Sequence, residues 1–119
     1  MNESDEAREA EARMQGLISA AYTAVWLIRN DEGPVLLEDE EGHRAMPLWP
    51  TEAAARSMLR GGWSQFQIES IEHQHLMGWL LNLSEDGVDI ATYPDRDLNG
   101  YIISASELHE MLRGESFEA

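Results

Sequence analysis

The sequence predicts an α+β domain, and three observations carry that expectation. Helical and extended patterns follow one another in the order α-β-β-β-α-β-α-β-β-α, the extended segments are short and come in hairpin-like pairs near both ends, and no Gly-rich turn leads a strand into a helix as a doubly wound fold requires. The expected architecture is a mixed, largely antiparallel sheet of about five or six short strands, with about four helices packed mainly on one face. At 119 residues the chain has the size of one domain, so a single unit is expected over 1–119. Residues 1–6 should fray, because Met1–Glu6 offers nothing to bury in a core.

The elements follow from local pattern. Ala7, Ala10, Met14, Leu17, Ile18 and Ala21 recur at spacings of three and four, and acids crowd the first turns, which predicts an amphipathic helix over 3–21. Thr23–Arg29 reads as a buried strand, the turn at 30–34 leads to a second strand at Val35–Leu37, and after the acidic turn 38–42 a third runs over Ala45–Leu48. Thr51 is a good N-cap for a helix over Glu52–Arg60, which Gly61-Gly62 stops. Gln65–Glu69 alternates as a strand with one wet face. Ser70 can cap a helix over Ile71–Leu83 that ends at Ser84-Glu85-Asp86-Gly87. Val88–Tyr93 and Gly100–Ile103 read as strands across the loop Pro94–Asn99, and Ser104–Glu107 forms a capping box for a last helix closed by Arg113-Gly114.

Composition narrows the function classes. Cysteine is absent, which removes disulfides, thiolate zinc sites and cysteine nucleophiles. All eight basic residues are Arg, against 23 acids, for a formal net charge of −15. Such a surface repels phosphate backbones and anionic lipid, so neither nucleic acid nor membrane is expected as a partner; a basic protein is. The start Met1-Asn2-Glu3-Ser4-Asp5-Glu6 is acidic where a secretory leader is basic, and apolar runs are far shorter than a bilayer span, so a cytoplasmic setting is expected.

Several segments together resemble a known family. Val25-Trp26-Leu27, Met46-Pro47-Leu48-Trp49-Pro50, Trp79-Leu80 leading through Glu85-Asp86-Gly87 to a strand ending at Pro94, and the Ser-rich start of the last helix are similar to the bacterial family of domain of unknown function two-seven-five-zero. The likeness spans about Met14 to Arg113, and its most specific element is Pro-Leu-Trp-Pro. It implies a small cytoplasmic α+β domain and carries no activity. The acidic N-terminal extension and the lack of Lys depart from the family pattern. A weaker likeness, in the Pro-Leu-aromatic edge before a helix, is to the enhanced serine sensitivity proteins.

The common catalytic signatures are missing. Without Lys there is no P-loop, Schiff base or Ser–Lys pair, and neither a Gly-x-Ser-x-Gly elbow nor His-Glu-x-x-His occurs. No catalytic residue, cofactor or metal ligand is therefore expected. His73 and His75 are the nearest approach to a metal pair, but on a helix residues two apart point about 200° from each other. Spacing with Ile71 and Trp79 then puts His75 on the apolar face and His73 in water. The run Glu38–Glu41 lacks the alternating pattern of a calcium loop and reads as a solvated hairpin tip.

The candidate binding residues centre on Trp49, whose flanking prolines aim a large ring at a strand-to-helix junction. Two readings stand: a corner tryptophan that closes the core, or one wall of a groove with Trp26 or Trp63 alongside and Arg56 or Arg60 for polar contact. The expected function is a non-catalytic, acidic binding or regulatory domain that recognises a protein partner through an aromatic-flanked surface. An immunity-type protein blocking a basic effector is its sharper form. The alternatives are a small hydrolase-like enzyme with a carboxylate/histidine site and a DNA mimic.

Overall fold

The computed structural model describes residues 3–118. Its helices are α1 (Glu3–Ala21), α2 (Glu52–Arg56), α3 (His73–Glu85) and α4 (Ala105–Glu118). The strands are β1 (Ala24–Asn30), β2 (Gly33–Pro34), β3 (Leu37–Glu38), β4 (Arg44–Leu48), β5 (Gln67–Glu72), β6 (Val88–Thr92) and β7 (Tyr101–Ile103), with a 3₁₀ turn at Gly61–Trp63. The fold is α+β, with helix, strand and turn where the sequence places them in outline.

The strands form two sheets, ordered β2-β1-β5 and β3-β4-β6-β7, where a single sheet was expected. All pairings are antiparallel except β4 with β6, which is parallel. The sheets are nevertheless laced together by an antiparallel bridge in which the Trp26 and Trp49 main chains exchange hydrogen bonds of 2.8 and 2.9 Å. The segment 33–38 explains the division. Its first part pairs with β1 and its second with β4, so the chain fills the fork where these strands diverge.

One face of the laced sheets carries α1, α3 and α4. Leu17 and Ala21, Leu76 and Leu80, and Leu108 and Leu112 are buried there against Val25, Leu27, Met46, Leu48, Ile71 and Ile90. The strand residues alternate as this requires, with Trp26 and Ile28 turned to the opposite face. On that second face α2 and the 3₁₀ turn cover only the β1–β5 half, closing a smaller cluster of Ile28, Trp49, Ala55 and Met58.

Several boundaries depart from the sequence expectation, each for a tertiary reason. α2 ends at Arg56 instead of Arg60, because the chain turns to bring Met58 into the cluster beside Trp49. β5 runs on to Glu72, since Ile71 pairs with Val25 and is buried as a strand residue; α3 therefore begins at His73, and Ser70 is no cap. The second strand splits into β2 and β3 at the fork. α4 continues through Arg113-Gly114 to Glu118, while its start is as expected, with the Ser104 hydroxyl accepting from the Glu107 amide at 3.0 Å. α1 is in place from Glu3; the fraying expected at Met1 and Asn2 lies outside the described residues.

Candidate functional site

Trp49 settles first. The prolines and the two-bond bridge to Trp26 aim its ring inward, it has no exposed surface, and its Nε1–H donates to the Pro94 carbonyl at 3.3 Å. It closes the core, and the groove-wall reading is corrected: the α2 turn and the 93–96 segment cover the ring. Trp26 is half-buried in the same cluster. Arg56 is exposed and ion-paired with Glu52 one turn earlier, away from any cleft.

Trp63 and Arg60 do meet in a groove of about 220 Å³, with Met58, Gly62, Arg96 and Leu98. Trp63 stacks on Phe66 with ring centroids 6.5 Å apart. The guanidinium groups of Arg60 and Arg96 have no ion-pair or hydrogen-bond partner among the described residues. Of the five expected binding residues, these two alone share a surface site.

Leu98 leads from this groove into a larger one. It also lines a trough of about 530 Å³ over the outer face of β3, β4 and β6, with Leu37, Ala45, Asp89, Ile102 and the turn residues 38, 39, 43 and 44. Register explains the lining: Leu37 is opposite Ala45, Ala45 is opposite Asp89, and Ile102 is opposite Ala91, so these side chains share one face of the sheet. Among the described residues no helix covers this half. Ile102 is consequently 56% exposed and Leu98 38% exposed. Glu38 and Asp39 put carboxylates at the acidic-turn end and Asp89 puts one on the floor beside Ala45, while Arg44 donates to the Asp86 carbonyl at 3.2 Å.

The loop that delivers Leu98 is held by particular contacts. Tyr93 and Leu98 have φ of 56° and 66°, left-handed values that cost a residue with a Cβ about 1–2 kcal/mol. Arg13 of α1 fixes the entrance: its Nε donates to the Tyr93 carbonyl at 2.8 Å, its Nη2 to the Pro94 carbonyl at 3.2 Å, and its guanidinium lies 4.0 Å from the Tyr93 ring centroid. Asp95 closes the tip by accepting from the Asp97 and Asn99 amides at 2.9 and 3.0 Å. A left-handed leucine leaves no pattern in sequence, so Leu98 was not among the expected residues.

The histidines fall out differently from expectation. Because α3 starts two residues late, His73 is the half-buried one, stacked on Tyr22 at 6.0 Å with its Nδ1 2.9 Å from the Ala21 carbonyl, and His75 is exposed. The acidic turn brings Asp39, Glu41 and His43 within 4.8 Å of one another, all exposed. Asp39 organises that turn, accepting from the Glu41 and His43 amides at 2.9 Å each. Those bonds, the His43 amide foremost, hold its carboxyl below the ordinary value of 3.8.

None of the helices in the described residues is long and apolar enough to cross a membrane. Comparison with known proteins finds no match among curated proteins or among solved structures. A family model described as "Protein of unknown function (DUF2750)" matches residues 19–112, which takes in every strand, α2 and α3, and the part of α4 that packs in the core. With that span covered, the chain belongs to the DUF2750 family.

Proposed function

We propose that this domain is a non-catalytic recognition module that docks a protein partner on the trough between β7 and the acidic turn, with the Trp63 groove as its extension. One observation carries the reading: Leu98 is held left-handed and 38% exposed at the junction of the two grooves. The Leu98 amide closes the loop turn on the Asp95 carbonyl at 2.8 Å, and the same turn holds an apolar side chain out in solvent where a partner can cover it. Leu37 and Ile102 on the edge strands and Leu98 above them supply apolar contact, while Asp89 on the floor and Glu38 and Asp39 at the turn supply charge, a mixed apolar and acidic lining that suits a docking surface. The carboxylates of Glu38, Asp39 and Asp89, within a chain of net charge −15, select a basic partner and speed its approach. Blocking a basic effector in the bacterial cytoplasm, as an immunity-type protein does, is the form of this function that such a surface serves best.

The test is retention of a host protein by the immobilised domain. A basic protein held by the parent should be released by Ile102→Asp and by Asp89→Lys, with folding unchanged by circular dichroism. A partner that both variants retain would remove the trough from the interface. Turnover of a small substrate abolished by Asp89→Asn would replace recognition by the hydrolase-like alternative, and displacement of a DNA-binding protein from its DNA would favour mimicry.

A further inference from the structure

The two sheets differ in how their edges end. β3 and β7, the edges of the four-stranded sheet, have two and three residues. β5 is an edge six residues long, paired with β1 without a bulge from Gln67 to Glu72. Long flat edges are what proteins ordinarily shorten, kink or block with proline, because their unpaired backbone groups template another strand.

Which groups are unpaired follows from the bonds that β1 makes on its other side. The Trp26 amide and carbonyl both go to Trp49, and the Ile28 carbonyl accepts from Val35 at 2.8 Å. Trp26 and Ile28 thus turn their main chains away from β5, and in an antiparallel ladder the residues opposite them do the same. Those residues are Ser70 and Ile68. Their amides and carbonyls point outward from the sheet, where they have no hydrogen-bond partner among the described residues, and Ser70 is exposed.

The side chains along this edge are acidic. Glu72 is exposed, and Glu69 gives one carboxylate oxygen to Arg29 at 2.8 Å and leaves the other free. A second copy of the chain would bring another net charge of −15 to the same line.

We propose that the outer edge of β5 is a strand-addition site for an extended, basic segment of a partner protein, separate from the trough and independent of it. The incoming strand runs antiparallel and makes four main-chain hydrogen bonds, two with Ile68 and two with Ser70. Side-chain register then defines the segment. An apolar residue falls opposite Ile68, a basic one opposite Glu69 and a second basic one opposite Glu72, which reads basic-x-x-basic-apolar from N to C.

The probe is the capped peptide Thr-Arg-Thr-Thr-Arg-Val-Thr, with a counterpart carrying Glu at both Arg positions, titrated into the isotope-labelled full chain at low salt. The expected result is saturable shifts confined to residues 67–72 and to β1, slower hydrogen exchange of the Ile68 and Ser70 amides, and no response to the Glu peptide. Glu72→Gln, which removes no cap, should weaken binding at least fivefold; Ser70→Pro should abolish it. If Ser70→Pro does not fold, Glu72→Gln decides alone. Shifts scattered over the acidic surface, equal binding of the Glu peptide, or Ile68 and Ser70 amides already protected without peptide would overturn the proposal. Protection that grows with protein concentration would assign the edge to a second copy and overturn the basic partner equally.

Discussion

The main chains of Trp26 and Trp49 exchange two hydrogen bonds, and their rings enter the same cluster beneath α2. A backbone stitch between the sheets and a core plug are therefore delivered by one pair of residues. Trp49→Ala is expected to cost about 3–5 kcal/mol, as deletion of a buried aromatic does. Trp49→Phe keeps a ring in the cluster but leaves a smaller void and loses the bond to Pro94, and should cost about 1 kcal/mol more than the lost packing alone explains. Chemical denaturation with unchanged slope measures both. A loss below about 1.5 kcal/mol for the alanine variant would contradict the burial.

Arg13 reaches from α1 to two carbonyls and a ring of the 93–99 loop. It lies before the span that the family model matches. Arg13→Ala should destabilise by roughly 2 kcal/mol, the scale of charge-assisted bonds. Arg13→Lys should recover less than half, since an ammonium cannot fork between two acceptors. Equal stability of Arg13→Lys and the parent, by denaturation, would show that charge alone matters.

Leu98 bears strain that glycine or asparagine would not. Leu98→Asn is expected to leave stability unchanged or raise it by up to about 1 kcal/mol, while partner retention on the trough falls. A marked drop in the thermal midpoint would mean that the side chain is structural.

The depressed pKa of Asp39 fixes a pH dependence. The folded carboxyl sits below its unfolded value, so the turn's contribution is fully present above about pH 4 and is lost as pH falls through the folded pKa. Proton titration followed at the Asp39 carboxyl should give a midpoint below 3.8, rising toward that value in His43→Pro, which removes the amide donor as well as the imidazole. A midpoint at or above 3.8 in the parent would show that the turn bonds are not populated.

What could be read from sequence was whatever local pattern decides. The 3.6-residue stripe of α1, the capping serine of α4 and the Pro-Leu-Trp-Pro corner were legible because each depends on near neighbours. The start of β5, the late entry into α3 and the split of the second strand were not. They depend on partners far along the chain: Val25 opposite Ile71 took a residue that the helical pattern claimed, and with it reversed the exposure of His73 and His75. Of the site, Trp63 and Arg60 were singled out for their chemistry, but the trough was invisible, because Leu37, Asp89 and Ile102 meet only through sheet register.

The order of strand pairing has a consequence for fragments of the chain. β1 pairs with β5 and β4 pairs with β6, so the two central pairings interleave along the sequence, and a single cut between β4 and β5 separates the members of both. A break at the exposed Gly61-Gly62 places β1 and β4 on one piece and β5 and β6 on the other. Neither piece can assemble either sheet alone, and each supplies what the other lacks. Severed there, the molecule becomes a complementation pair whose halves are ordered only by meeting.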